Sequence, residues 1–144
     1  MPGSAKPRYD DVEVGTELPG QTFPVHRVNL VNYAGASGNF NPIQWNERFA
    51  TAVGLPDVIA HGMFTMAEAA RVLTDWVGDP GAIEEYGVRF SRPVVVPDDD
   101  RGATIEVTGT VAEKLDGNRV RVYLAARSNG QAVLTRARAV VRLP

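Results

Sequence analysis

At 144 residues, 44% hydrophobic and 22% charged, the chain has room for one core and one domain, and disorder, collagen-like repeats and coiled coil are excluded as accounts of its bulk. A formal charge of −2, from 15 Lys plus Arg against 17 Asp plus Glu, leaves no excess of cations for a nucleic-acid backbone. With no cysteine, disulfides, Cys-based zinc sites and thiol nucleophiles are impossible, and two histidines, His26 and His61, are too few for most His-rich metal sites.

Residues 1–10 read as a flexible, polar N-terminal arm ahead of one domain over 11–144. The arm lacks the apolar stretch of a signal peptide, and no apolar run approaches the roughly 20 residues that span a bilayer, so no membrane association and a cytoplasmic location are expected. Gly15, Pro19 and Gly20 punctuate a polar stretch that leads into Gln21–Val25, an extended piece. Pro24 cannot donate to a ladder, which places that piece at a sheet edge. From Val28 to Ala36, Leu30, Val31, Tyr33 and Ala34 recur at helical spacing, and Gly35 and Gly38 loosen the end. Asn46 is a good N-cap for a two-turn helix over residues 47–53, with Gly54 placed to terminate it.

The longest helix is expected from Gly62 or Met63 to about Val77. Its apolar residues leave only Glu68, Arg71, Thr74 and Asp75 as interruptions, which predicts a helix wrapped on most sides; Gly78-Asp79-Pro80-Gly81 ends it. After that point the sequence alternates. Glu84–Phe90, Ala103–Glu113, Asn118–Arg127 and Gln131–Leu143 read as strands, with Asp116-Gly117 and Asn129-Gly130 as hairpin turns. Pro97–Gly102 reads as an acidic surface turn. One central helix followed by a meander of long strands predicts an α+β domain in which an antiparallel sheet wraps around the helix; a single hot-dog fold is such an arrangement.

The chemically informative stretch runs from Tyr33 to Asn46, followed by Ile59-Ala60-His61-Gly62-Met63. Gly38 and Asn41-Pro42 make a tight polar loop between helices, where small residues let a ligand approach the backbone. The same loop is equally readable as a helix cap satisfying local amides. Gly62 opens the long helix, where unpaired N–H groups and the helix dipole can stabilise a developing oxyanion. His61 beside it reads as a structural hydrogen-bonding residue or as a catalyst.

These two segments resemble the signature of MaoC-like (R)-specific enoyl hydratases and 3-hydroxyacyl-thioester dehydratases: a pattern of the type Tyr-x-Gly-x-Ser-Gly-Asp-x-Asn-Pro-Ile-His, then Ala-His-Gly-Met opening the hot-dog helix. The resemblance extends from about Asp11 to the C-terminus. Within the family it is strongest to the β-type subunit of the actinobacterial type II fatty-acid dehydratase, through residues 76–82 and Val88-Arg89-Phe90. It implies a hydro-lyase in which an Asp and a His activate one water for addition across a 2-enoyl thioester, or run the reverse elimination. A helix-start glycine N–H polarises the carbonyl. Carried over by position, the carboxylate site is Asn39, the imidazole site is Gln44 and the oxyanion donor is Gly62. Phe40, Asn41, Trp45, His61, Phe64 and Met66 are the expected substrate-binding residues, with no metal and no cofactor.

Asn39 and Gln44 depart from that pattern. Carboxylate and imidazole exchange protons near neutral pH and carboxamides do not, so this site is expected to keep its shape while losing proton transfer. Three accounts stand: an engineered double substitution that traps a bound thioester, a natural pseudoenzyme serving as the acyl-binding half of a heterodimer, and a different reaction run by the amides. A hot-dog thioesterase is a further alternative. It needs a carboxylate, for which only Glu47, Asp57 and Glu68 are nearby in sequence. The resemblance further implies a thioester of coenzyme A or acyl carrier protein as substrate, and a homodimer or a heterodimer with another hot-dog subunit.

Overall fold

The computed structural model describes residues 6–144. Its strands are β1 (Glu17–Val25), β2 (Ile83–Phe90), β3 (Ala103–Leu115), β4 (Arg119–Ser128) and β5 (Gln131–Arg142), and its α-helices are α1 (Arg27–Ser37), α2 (Glu47–Ala52) and α3 (Gly62–Val77). The strands form one antiparallel sheet in the order β1-β3-β4-β5-β2. α3 packs across β1, β3 and β2. This is the α+β hot-dog arrangement that the alternation after Gly81 predicts.

Local chemistry accounts for the element ends. Gly78 closes α3 in the left-handed conformation, its N–H donating to the carbonyl of Thr74. Asn46 caps α2 by accepting from the Phe49 N–H. The β4–β5 hairpin turns on Asn129 and Gly130, both at positive φ, with Ser128 paired to Gln131, as a two-residue primed turn requires. β1 lies at a sheet edge, as Pro24 predicts, but begins earlier, at Glu17. Pro19 and Gly20 together stand opposite the single residue Thr108, one residue more than the ladder pairs, because the register shifts by one between Leu18 and Gln21.

Residues 1–5 of the expected arm lie outside the described residues. The chain is already docked at Tyr9, ahead of the expected boundary at 11: its N–H donates to the carbonyl of Pro144, its hydroxyl to the carbonyl of Leu115 at 3.0 Å, and Lys114 covers its ring.

The inner sheet face follows the two-residue period, with Ile105, Val107 and Val111 on β3 and Val120, Val122, Leu124 and Ala126 on β4 buried. α3 answers with Thr65, Ala69, Val72, Leu73 and Val77, a stripe at helical spacing. The expectation of a helix wrapped on most sides is corrected here. Met63, Ala67, Arg71 and Asp75 are exposed, because the sheet of a single chain covers only one side of the helix. Tyr86 ties β2 to α3 by donating to the Met66 carbonyl at 2.7 Å, and burial pushes its pKa up to about 12. No helix among the described residues is long and apolar enough to cross a membrane.

Candidate active site

The loop from Ser37 to Trp45 is built by side chains that each serve the backbone two residues on. Ser37 Oγ accepts from the Asn39 N–H at 3.2 Å, Asn39 Oδ1 from the Asn41 N–H at 3.2 Å, and Asn41 Oδ1 from the Ile43 N–H at 3.3 Å. Pro42 then opens a 3-10 turn, Pro42–Gln44, that carries Gln44 inward until it is 8% exposed. Gly38, left-handed at φ 76°, lets α1 stop just before this staircase.

Two ties hold the loop to the start of α3. The Ile59 N–H donates to the Ile43 carbonyl at 3.1 Å, and His61 Nε2 lies 3.0 Å from the Asn39 carbonyl oxygen. The strip ahead of α3 is itself fixed by pairing with the β2–β3 connection, Ala60 N–H to Val94 and Val96 N–H to Val58. The N-terminus of α3 is therefore aimed by two separate segments, the loop and the β2–β3 connection.

Between loop and helix lies a cavity of about 400 Å³ lined by Tyr33, Ser37, Asn39, Gln44, His61, Gly62, Met63 and Phe90. A second, of about 290 Å³, shares Gln44, Gly62 and Phe90 and continues past Thr65 to Val133 and Leu134, with Arg92 on its wall. The three residues expected to act at the reacting centre, Asn39, Gln44 and Gly62, thus line one space. The Gly62 N–H is among the first amides of α3, which have no intrahelical carbonyl. A Cβ at that position would lie 3.1 Å from the Phe90 ring, so glycine is what lets Phe90 close over the helix start.

The two amides are held differently. Asn39 is exposed and already spends Oδ1 on the Asn41 N–H. Gln44 is buried, and its Oε1 has no hydrogen-bond partner. Nδ1 of His61, a residue 2% exposed, is likewise unpartnered. Among the described residues these are the two buried side-chain polar atoms left unsatisfied, and both belong to residues of this cavity wall. A buried acceptor without a donor costs roughly 1–3 kcal/mol, a cost that a hydroxyl or water donating to it would remove.

Of the expected substrate-binding residues, His61 lines the cavity and the other five do not. Phe40 and Trp45 are 62% and 51% exposed on the outer side of the loop, the Trp45 Nε1–H donating to the Phe40 carbonyl. Asn41 is consumed in the staircase. Phe64 packs edge-on against Tyr33 and against the core, and Met66 offers its carbonyl to Tyr86. Tyr33, Ser37, Met63 and Phe90 take the wall positions instead. Tyr33 and Ser37 stood in the motif; Phe90 reaches the helix start only through the path of β2, which sequence spacing does not reveal. Glu47 and Asp57 hold Arg27, each at 2.9 Å, and Glu68 faces Arg71. Neither cavity has a carboxylate on its wall among the described residues.

Comparison with known proteins agrees with this fold. The MaoC like domain family matches residues 11–129. The chain is 40% identical over 80 residues to 3-hydroxyacyl-thioester dehydratase X of Mycobacterium tuberculosis, covering 55% of this chain and 27% of that protein. It is 30% identical over 138 residues to 3-hydroxybutyryl-CoA dehydratase of Methylorubrum extorquens, covering 94% and 83%, and 37% identical over 107 residues to the (R)-specific enoyl-CoA hydratase of Rhodospirillum rubrum, covering 74% and 73%. Among solved structures, a MaoC-like dehydratase superposes with TM-score 0.93 at 42% identity over 96% of this chain and 43% of its own. R-hydratase PhaJ1 of Pseudomonas aeruginosa gives 0.81 at 28%, over 95% and 85%. The chain spans about a quarter of the mycobacterial dehydratase and under half of the first of these structures. By sequence over most of its length and by fold over nearly all of it, the chain belongs to the MaoC-like family of dehydratases and hydratases.

Proposed function

We propose that this chain binds 2-enoyl and 3-hydroxyacyl thioesters, of coenzyme A or acyl carrier protein, for (R)-specific hydration or dehydration. The acid and base positions are filled by Asn39 and Gln44, which makes this chain a form of the site inactivated in its family acid–base pair. The observation that carries the reading is Gln44: a buried amide with an unpartnered Oε1, on a residue that lines the same cavity as Gly62 and Met63 at the start of α3. Carbonyl polarisation needs the helix start and a 3-hydroxyl needs an acceptor, and the two face one space. The absence of a carboxylate from the wall is the feature that disfavours a thioesterase.

A titration with crotonyl-coenzyme A tests the reading. Saturable binding is expected, weakened roughly 10-fold or more when Gln44→Leu removes the acceptor while keeping the volume. Binding that is absent, or indifferent to Gln44→Leu, overturns it.

We further propose a dimer with a second hot-dog chain, identical or not. Met63 and Phe90, at the cavity wall, are 58% and 53% exposed, and β2, at the sheet edge, buries none of its residues. A partner covering that edge would narrow the cavity mouth. Sedimentation velocity at micromolar concentration is expected to give a dimer, alone or with a hot-dog partner chain; a stable monomer that binds thioester without a partner counts against it.

A further inference from the structure

We propose that His61, through Nδ1, is the proton acceptor and donor of this chain, carrying a slow hydration that Asn39 and Gln44 cannot. The inference rests on the thioester reading above and assigns a role to a residue which that reading leaves unused.

The argument starts from the tautomer. His61 Nε2 lies 3.0 Å from the Asn39 carbonyl oxygen, and a carbonyl only accepts, so the ring carries its hydrogen on Nε2. Nδ1 then bears the lone pair. That atom is buried and has no partner, and the ring, 4.7 Å from Tyr33 between centroids, is fixed in orientation. His61 is the only imidazole on either cavity wall; His26 caps α1 elsewhere. A structural histidine that merely tied the loop to the helix would need Nε2 alone.

Gln44 and His61 line one cavity, and each carries an unpartnered acceptor, Oε1 and Nδ1; in the proposal the two hydrogens of a single water go to these two atoms. In hydration, Nδ1 takes one proton from that water as its oxygen bonds to C3 of the enoyl thioester. The C2=C3 electron pair moves toward the thioester carbonyl, whose oxygen gathers negative charge at the Gly62 N–H. The imidazolium then returns its proton to C2 as the carbonyl re-forms. One water is added, the ring is regenerated, and the reverse sequence is the elimination. Gln44 orients the water and exchanges no proton.

The test is hydration of crotonyl-coenzyme A by the full chain and by His61→Ala, with thioester binding measured on both, and with imidazole or pyrrole added to the variant. Imidazole restores both the donor toward the Asn39 carbonyl and the basic nitrogen; pyrrole restores the donor alone. Expected are turnover by the unmodified chain above the buffer rate, a loss of about 100-fold or more in His61→Ala, and rescue by imidazole and not by pyrrole. Rescue by both equally, rescue by neither, or an unchanged rate in His61→Ala overturns the proposal. So does a chain that binds thioester without turning it over. Absence of thioester binding by the unmodified chain instead overturns the reading on which the proposal rests. Should His61→Ala fail to fold, nitrogen NMR of the unmodified chain decides: a hydrogen on Nδ1 overturns the proposal.

Discussion

Asn39→Asp/Gln44→His is expected to raise hydration of a short 2-enoyl thioester by several orders of magnitude over the chain as it stands. Each general acid or base is worth about 10²–10⁴-fold, and both return to a site already built around them. An aspartate at 39 keeps one oxygen for the Asn41 N–H, which Asn39 Oδ1 now holds at 3.2 Å, and gains a second, charged oxygen for water. A histidine at 44 occupies a buried position whose present polar atom is unsatisfied, so its ring nitrogen meets no competing partner. The gain need not equal the product of the two single gains, since both groups act on one water. The measurement is kcat for crotonyl-coenzyme A in the two single variants and the double variant. A double variant that binds thioester and is no faster than the unmodified chain shows that the acid and base positions are misassigned, and favours an acyl-binding role.

That experiment depends on how much of the site is readable before the fold is known. The α3 boundaries, the Asn129-Gly130 hairpin and the Asn46 cap are legible because each is decided by residues within four positions of one another: a glycine in the left-handed region, an asparagine before a helix, a two-residue turn. The β3–β4 hairpin is expected at Asp116-Gly117 and takes Asn118 into the turn as well, Leu115 pairing with Arg119. The meeting of Asn39, Gln44 and Gly62 is legible from motif resemblance, since the staircase of side chains that shapes the loop is local as well. What escapes the sequence is decided by distant packing. Phe40 and Trp45 look like apolar walls and sit outside, because the 3-10 turn that drives Gln44 inward rotates its neighbours outward. Phe90 becomes a wall through the course of β2, and Met63 through the exposed side of a helix that reads as wrapped. The engagement of His61 Nε2 by a backbone carbonyl 22 residues earlier, which leaves Nδ1 free, has no signature in spacing at all.

The role assigned to the start of α3 is separable from the shape of Gly62, and the separation gives the second large effect. Gly62→Pro removes the N–H; Gly62→Ala keeps it. Both add a Cβ against the Phe90 ring, at 3.1 Å in the unmodified geometry, and Phe90, half exposed, is free to turn aside, so that cost is common to both. Proline is tolerated at the first helical position, and His61 at φ −60° and ψ 137° already has the extended backbone that a residue before proline prefers. The proline variant is therefore expected to fold, with α3 intact and thermal stability close to that of Gly62→Ala. In the Asn39→Asp/Gln44→His background, kcat of Gly62→Pro is expected to fall about 10²–10³-fold below that of Gly62→Ala, the cost of one oxyanion donor, with a much smaller change in KM because the charge on the carbonyl oxygen develops only in the transition state. Equal kcat in the two variants would show that the thioester carbonyl is polarised elsewhere, and the next amides of α3, those of Met63 and Phe64, would be the groups to examine. A rise in KM with a fall in kcat, shared by both variants, would point to the displaced Phe90 ring rather than to the missing N–H. The comparison exchanges the N–H for the ring Cδ of proline while both variants carry the Cβ, and the helix start accommodates it because Gly62 has no side chain and His61 before it already has a backbone that suits a following proline.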